Sequence, residues 1–267
     1  MNIQPNAYFN YLKAAKMEYH AKKESICSNI REIYHELGGN VGHRFMKIFL
    51  ERRNIFISKT TVHKYMNKEM SLFYVACRRK PGYKKGSMHK LFPNLLKRAF
   101  VANAPNRVWC TDFTYLYLAN GHVRYNCTII DLYDRSVVAS ENGNFITSDL
   151  AIRTLDKAIR SQKCDSTQIT LHSDQGSQFT SVEFTSFCES KGITQSMSRA
   201  GTPYDNAPME RYYNTLKAEL IYQYSFKTVR ELDATISLFA YRWYNQIRPH
   251  SYNGYLTPHE KRSHALN

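Results

Sequence analysis

The chain has 267 residues, 43% of them apolar and 13% aromatic, enough to bury a core and to exclude global disorder. Its net charge of +15 is unevenly spread: residues 1–100 carry 20 Lys/Arg against 6 acids, residues 101–267 carry 17 against 16, and no aspartate precedes Asp112. So basic a first part calls for a polyanion partner; the six cysteines form no Cys-x-x-Cys pair, which excludes a zinc finger, and no apolar run could span a bilayer.

Residues 1–24 are polar and basic with scattered aromatics and read as an N-terminal arm. Residues 25–72 read as a small all-α, helix-turn-helix-like domain. Ile26, Ile30, Ile33, Tyr34 and Leu37 recur at helical spacing, and Gly38-Gly39 closes that helix. A second helix is expected over Gly42–Arg53, and a third over Thr61–Lys68 after the N-cap oxygens of Ser58 and Thr60. The third would offer Lys59, His63, Lys64 and Asn67 to phosphates or base edges. A basic bundle that merely packs on the next domain fits the same pattern.

Residues 73–104 read as a basic linker, within a stretch (70–111) that has nine Lys/Arg and no acid. Arg78, Arg79, Lys80, Lys84 and Lys85 suit a phosphate backbone, while Pro81-Gly82 and Gly86-Ser87 break regular structure. Residues 105–267 read as an α/β domain with a mixed sheet. Strands are expected over Arg107–Leu118, His122–Leu132 and Ser136–Asn142, the first two joined by an Asn120-Gly121 turn. Thr147-Ser148-Asp149 caps a helix; a short strand, Gln168–His172, follows it. A helix over Ser181–Lys191 and a strand over Ile193–Ser196 come next. Two further helices begin at Asp205 or Asn206 and at Val229.

Asp112 interrupts strand formers, where aspartate is disfavoured and needs a compensating partner. Asp174 follows a strand in His172-Ser173-Asp174-Gln175-Gly176, and Glu210 opens a helix with 35 residues between the two. Singly, a turn aspartate and a helix-start glutamate are ordinary features. Together the three are oxygen ligands for a pair of Mg²⁺ ions, with Mn²⁺ an admissible substitute. Two such ions can cut and join phosphodiesters. Asp112 is expected to bridge them, and Asp174 and Glu210 to complete one site each. Met209, Tyr213, Leu216, Leu220 and Tyr224 form the buried stripe of the Glu210 helix, with Asn214 and Lys217 beside Glu210 on a flanking face. Lys217 would hold a DNA phosphate.

From Trp109 to Glu260 the chain resembles the integrase-like catalytic core of bacterial insertion-sequence transposases of the IS-three family. The matching motifs are Trp109-x-x-Asp112-x-Thr114-Tyr115, His172-Ser173-Asp174-Gln175-Gly176, Ser196-Met197-Ser198-Arg199 and Tyr204-Asp205-Asn206-Ala207-x-x-Glu210. Leu216-Lys217-x-Glu219 and Tyr244-Asn245-x-x-Arg248-Pro249-His250, continuing through Thr257-Pro258-x-Glu260, complete the set. The resemblance implies a ribonuclease-H-like fold. It implies, too, a Mg²⁺-dependent DNA transposase with catalytic Asp112, Asp174 and Glu210, which frees a 3′-hydroxyl at the element end and joins it to another strand. It further implies a homo-oligomer acting on terminal-repeat and target DNA in the cytoplasm, at the nucleoid. In the family an upstream-frame product of the same element usually supplies the first DNA-binding segment. No heptad run is visible, so the chain resembles the downstream product.

Arg248 and His250 are candidate DNA contacts, or alternatively a capped helix end. A covalent tyrosine recombinase is disfavoured because Arg262 is the next arginine after His250. A plain ribonuclease-H-type nuclease would not need the basic N-terminal block. A non-catalytic, DNA-binding or regulatory product of the same element remains the alternative function.

Overall fold

In a computed structural model of the protein, residues 15–73 and 90–266 are described, and they fall into two compact units on either side of residue 76. The first unit is helical. Helix α1 (Ala15–Glu36) begins ten residues before the expected Ser25, because the stretch before it holds good helix formers and neither glycine nor proline. Helix α2 spans His43–Arg52. Helix α3 (Lys59–His63) starts two residues earlier than expected, with the Ser58 hydroxyl accepting from the Thr61 N–H at 3.1 Å, and a wider-turned segment extends it through Glu69. Ile26, Ile30, Ile33, Val41, Met46, Leu50, Val62 and Met66 form its core. Arg53 ties the end of α2 to α1 through Glu32 (2.7 Å) and Glu36 (2.8 Å).

The second unit is built on five strands: β1 (Val108–Tyr117), β2 (Val123–Asp131), β3 (Val137–Gly143), β4 (Thr170–Ser173) and β5 (Thr194–Met197). Their order across the sheet is β3-β2-β1-β4-β5. The three long strands pair antiparallel as a meander, and β4 and β5 add parallel to the other side of β1. Helix α4 (Ser148–Gln162) makes the crossover from β3 to β4, with the Thr147 hydroxyl accepting from the Leu150 N–H. The short α5 (Ser177–Thr180) and α6 (Val182–Ser190) link β4 to β5. Helix α7 (Ala207–Leu216) continues in a wider turn to Ile221, and α8 (Val229–Leu238) does the same to Ile247.

Strand alternation sends successive side chains of β1 to two cores. Trp109, with Ile129, Leu155, Leu171, Phe179 and Phe184, packs under α4 and α6. Cys110 and Leu116, with Ile130, Met209, Tyr212, Leu216 and Ile236, pack under α7 and α8. Tyr224, expected in the buried stripe of α7, is 53% exposed, because the helix ends at Ile221.

Two segments differ from their sequence-based outline. Residues 90–102, expected within the linker, lie along the second unit. Lys90 N–H donates to the Thr180 carbonyl (3.2 Å), Met197 N–H to the Pro93 carbonyl (3.3 Å), and Leu96 and Ala102 are buried. The abundance of positive charge there masks the apolar series Phe92, Leu96 and Phe100, which packs on both cores. A further helix, α9 (Pro258–Leu266), lies beyond the elements expected from sequence. Its start is a reciprocal capping box: Glu260 N–H donates to the Thr257 hydroxyl (3.1 Å), and Thr257 N–H donates to the Glu260 carboxylate (2.7 Å). Among the described residues no helix is long and apolar enough to cross a membrane.

Candidate active site

Asp112 lies mid-way along β1, on the face covered by α7. The parallel pairing of β1 with β4 runs Val108–Thr170, Trp109–Leu171 and Cys110–His172. Continued by two residues, that register sets Asp174, just past the end of β4, beside Asp112, at about the 4.8 Å spacing of neighbouring strands. Glu210 arrives on the first turn of α7.

Two buried hydrogen bonds fix α7 across β1. Asn206 Nδ2 donates to the Thr111 carbonyl (3.1 Å), and the Tyr213 hydroxyl donates to the Asp112 carbonyl (2.5 Å) while accepting from the Thr128 N–H (3.1 Å). Asn206, Glu210, Tyr213 and Lys217 recur at spacings of four, three and four, one stripe of a helix. Glu210 therefore sits between two anchors to the strand that carries Asp112, with its side chain exposed at the rim.

The electrostatics agree with this convergence. Burial, and then the Asp174 carboxylate, hold the Asp112 carboxyl well above the usual carboxylate range, and Glu210 adds to the effect. The Phe113 N–H, 2.7 Å from Asp112 Oδ1, and the Lys217 ammonium pull the other way. Burial pushes Lys217 down, opposed by Asp112, and its Nζ lies 5.2 Å from the Tyr115 ring centre. Asp174 Oδ1 accepts from the Gly176 N–H at 2.9 Å. Asp112 feels the other two carboxylates without the three closing into a cage. Among the described residues no three His, Cys, Asp or Glu side chains stand in an arrangement that could hold a metal ion.

A second layer holds these elements in line. His172, fully buried, faces Ser196 Oγ through Nδ1 (2.9 Å), and Ser198 Oγ (3.1 Å) and the Asp205 carbonyl (2.8 Å) through Nε2. A ring nitrogen against a carbonyl must donate, so His172 carries its proton on Nε2; burial lowers its proton affinity and keeps it neutral. This joins the end of β4 to β5 and to the segment before α7. The buried Asp205 carboxylate accepts from Arg98 Nε (2.8 Å), Arg199 Nε (3.0 Å) and Asn94 Nδ2 (3.1 Å), and the two arginines hold it well below the usual carboxylate range. Tyr213, Asn206, His172 and Asp205 are site residues to which the sequence alone assigns no role in the site: His172, Asp205 and Asn206 stand within the family motifs and Tyr213 in the buried stripe. The helical spacing of Asn206 and Tyr213 about Glu210 is the signal that could have joined two of them to it.

The expected DNA contacts divide into four groups. Asn214 is exposed on α7 and Lys217 half-buried. Arg248 and His250 are corrected: both serve the core. Arg248 donates through Nε and Nη2 to the buried Glu219 carboxylate (3.0 Å each), which also accepts from Trp243 Nε1 (2.9 Å). His250 is buried, with Nε2 3.2 Å from the Tyr244 carbonyl, and burial pushes its proton affinity down to about 3. Their cationic character suggested phosphate, but an Arg with a buried carboxylate in reach is consumed by it. In the first unit Lys59 and Lys64 are exposed, with Lys64 at 4.0 Å from Glu69. Arg78, Arg79, Lys80, Lys84 and Lys85 lie outside the described residues.

Comparison with known proteins identifies the lineage. Residues 102–203 and 191–258 each match an integrase core domain family. The insertion element IS600 31 kDa protein of Shigella sonnei is 30% identical over 96% of this chain and 93% of its own length. The transposase of insertion sequence element IS904 from Lactococcus lactis is 33% identical over 89% of this chain and 93% of its own. The putative transposase InsK of IS150 from Escherichia coli is 30% identical over 98% and 90%. The intasome of simian T-cell lymphotropic virus, solved with PP2A regulatory subunit B56 gamma, is similar in fold (TM-score 0.51, 19% identity, 81% of this chain and 70% of that chain). The mixed sheet with helices on both faces is ribonuclease-H-like, and the chain belongs to the IS-three family of insertion-sequence transposases, polynucleotidyl transferases that act in DNA transposition.

Proposed function

We propose that the chain catalyses Mg²⁺-dependent cleavage at the 3′ ends of its element, and strand transfer of those ends, with Asp112, Asp174 and Glu210 as metal ligands. The observation that carries this reading is the placement of Asp112 on β1 where the β4 register brings Asp174 and the first turn of α7 brings Glu210; burial first, and then the two carboxylates, raise its hold on the proton. Carboxylates set against one another in a half-buried site disfavour their own ionised forms, and divalent cations relieve that penalty. The donor set is all oxygen, as hard cations prefer, and Mn²⁺ would substitute. Two bound cations would activate the attacking oxygen and stabilise the leaving one.

Asp112, central among the three, would bridge the cations, with Asp174 and Glu210 each completing one site. Tyr213 and Asn206 hold α7 to β1 and so set the reach of Glu210. Lys217 would bind a phosphate oxygen of the strand being cut, and its ammonium already lies over the Tyr115 ring, which limits the freedom it has to lose. In the first step water displaces the bridging 3′ oxygen from phosphorus, leaving a 3′-hydroxyl and a 5′-phosphate. In the second, that hydroxyl displaces a 3′ oxygen of the target, so one phosphodiester forms as another breaks. Residues 25–72, with Lys59 and Lys64, would add a DNA contact outside the core. Work on two ends and a target calls for a homo-oligomer on DNA, and the upstream-frame product of the element would be a further partner.

An assay of 3′-end cleavage and strand transfer on the element's terminal sequence tests this. Asp112→Asn, Asp174→Asn and Glu210→Gln should each abolish Mg²⁺-dependent cleavage and leave DNA binding intact. Full activity in any of the three sinks the assignment.

A further inference from the structure

An open cleft of about 510 Å³, separate from the carboxylates, is lined by Asn94, Lys97, Arg98 and Arg199. Three of these four side chains are cations. The Asp205 carboxylate that meets Arg98 and Arg199 is fully buried, while the two arginines remain 51% and 66% exposed. Asp205 therefore neutralises one charge and aims two guanidinium groups, whose remaining N–H donors face outward. Lys97 is exposed and takes part in no ion pair among the described residues. Its backbone and that of Arg98 are both left-handed (φ 46° and 69°), a conformation that long side chains rarely adopt, held by the Lys97 N–H donating to Asn94 Oδ1 (2.9 Å). Consecutive strained residues that bring two cations to the cleft beside Arg199 do more than tie a connecting segment to the core, for which Leu96 and the Leu95 N–H bond to Ser196 Oγ (3.0 Å) already suffice.

The cleft has a definite relation to the carboxylate cluster. Asp205 pairs with three of its lining side chains, and the next residue, Asn206, bonds the Thr111 carbonyl beside Asp112. Two peptide steps of about 3.8 Å each and one hydrogen bond thus separate Asp205 from Asp112, which keeps the cleft within a few duplex steps of it, at roughly 3.4 Å each.

We propose that Lys97, Arg98 and Arg199 form a phosphate-binding subsite that grips the DNA backbone a few nucleotides from the bond being cut, with Asp205 as the buried counter-ion that orients the two arginines. The inference rests on DNA being the substrate and is independent of the metal chemistry. Its test is equilibrium binding of element-end duplex, in chelator and over a series of salt concentrations, so that no cleavage intervenes. Lys97→Gln removes a cation that supports nothing else; Arg98→Gln removes a second, and a melting curve for each variant reports whether the core is intact. Each variant should weaken binding severalfold, and removing one phosphate-binding cation should flatten the slope of log affinity against log salt by about 0.9. Millimolar inorganic phosphate should displace little duplex. Unchanged slope and affinity in folded Lys97→Gln and Arg98→Gln would overturn the subsite and leave the proposed catalysis standing. Inorganic phosphate that raises the melting temperature of the wild type but not of Lys97→Gln, with the DNA slope unaltered, would make the cleft a free-phosphate site and also overturn it. A cleavage assay that clears Asp112, Asp174 and Glu210 of any role, with the slope change intact, would do the reverse. A wild type that binds no duplex would overturn both.

Discussion

Replacing Asp112 by asparagine should make the metal-free protein more stable while it abolishes cleavage. The carboxyl is held well above its ordinary range by burial and by Asp174 and Glu210, so its ionised form is penalised in the folded chain. Asparagine keeps the Oδ1 that accepts from the Phe113 N–H and removes the charge. Because the folded state holds this proton more tightly than the unfolded chain does, the penalty is absent at acid pH, sets in as pH rises above about 4, and is fully felt once the carboxyl is ionised in the fold. Each tenfold in proton affinity is worth about 1.4 kcal/mol, and relief of that size raises the melting temperature of a unit this large by about 3–6 °C. Mg²⁺ should act unequally on the two proteins. At about 100 times its dissociation constant a ligand stabilises by about 2.7 kcal/mol, or about 5–11 °C, for the wild type, and much less for the variant. Differential scanning fluorimetry from pH 4 to 8, with and without Mg²⁺, reads both effects. An asparagine variant that melts below the wild type at pH 7, or equal Mg²⁺ shifts in the two proteins, would refute the reasoning.

Arg248→Ala should strand the buried Glu219 carboxylate and cost about 3 kcal/mol, seen as a lower urea midpoint, while the folded fraction keeps its DNA affinity; weaker DNA binding at unchanged stability would restore Arg248 to the interface. His250 is kept neutral by burial, with its proton affinity pushed down to about 3, so its contribution is present above about pH 6.5 and is lost as pH falls toward 3, at up to about 1.4 kcal/mol per pH unit. Asp131, pushed up to about 6, works in the other direction, losing stability as pH rises from about 4 to 6. His250→Gln should therefore leave a protein whose urea midpoint declines less, or even rises, on acidification from pH 6.5 to 4. A wild-type acid slope surviving in the variant would exclude His250 as its source.

Asp174 and Glu210 stand out in the sequence by type and spacing, and Asp112 by its misfit in a strand. What a sequence cannot supply is the order β3-β2-β1-β4-β5, which alone brings Asp174 beside Asp112: β1 and β4 are joined through two strands and a helix, and their pairing is decided by non-local packing. The strands themselves are legible to within a few residues because alternation and the Asn120-Gly121 turn are local. The fate of Arg248 is not, since Glu219 is 29 residues away and only the packing of α7 on α8 unites them. Helix α9 has a local signature that a family motif conceals: Thr257-Pro258-x-Glu260 spells a capping box with proline in the first turn.

Helix α9 also fixes a time order for synthesis. Arg262 donates to Asp131 (2.5 Å) and Asp134 (2.5 Å), two fully buried carboxylates at the end of the β-meander, 131 and 128 residues earlier in the chain. At about 5–20 residues per second, roughly 7–26 s separate the making of the meander from the making of its counter-ion. Through that interval the turn after β2 holds two acids with no arginine from α9 to meet them, and the sheet that carries Asp112 is left open at its base. A ribosome that stops short of Arg262 thus releases a chain that carries Asp112, Asp174 and Glu210 but lacks the arginine that meets Asp131 and Asp134.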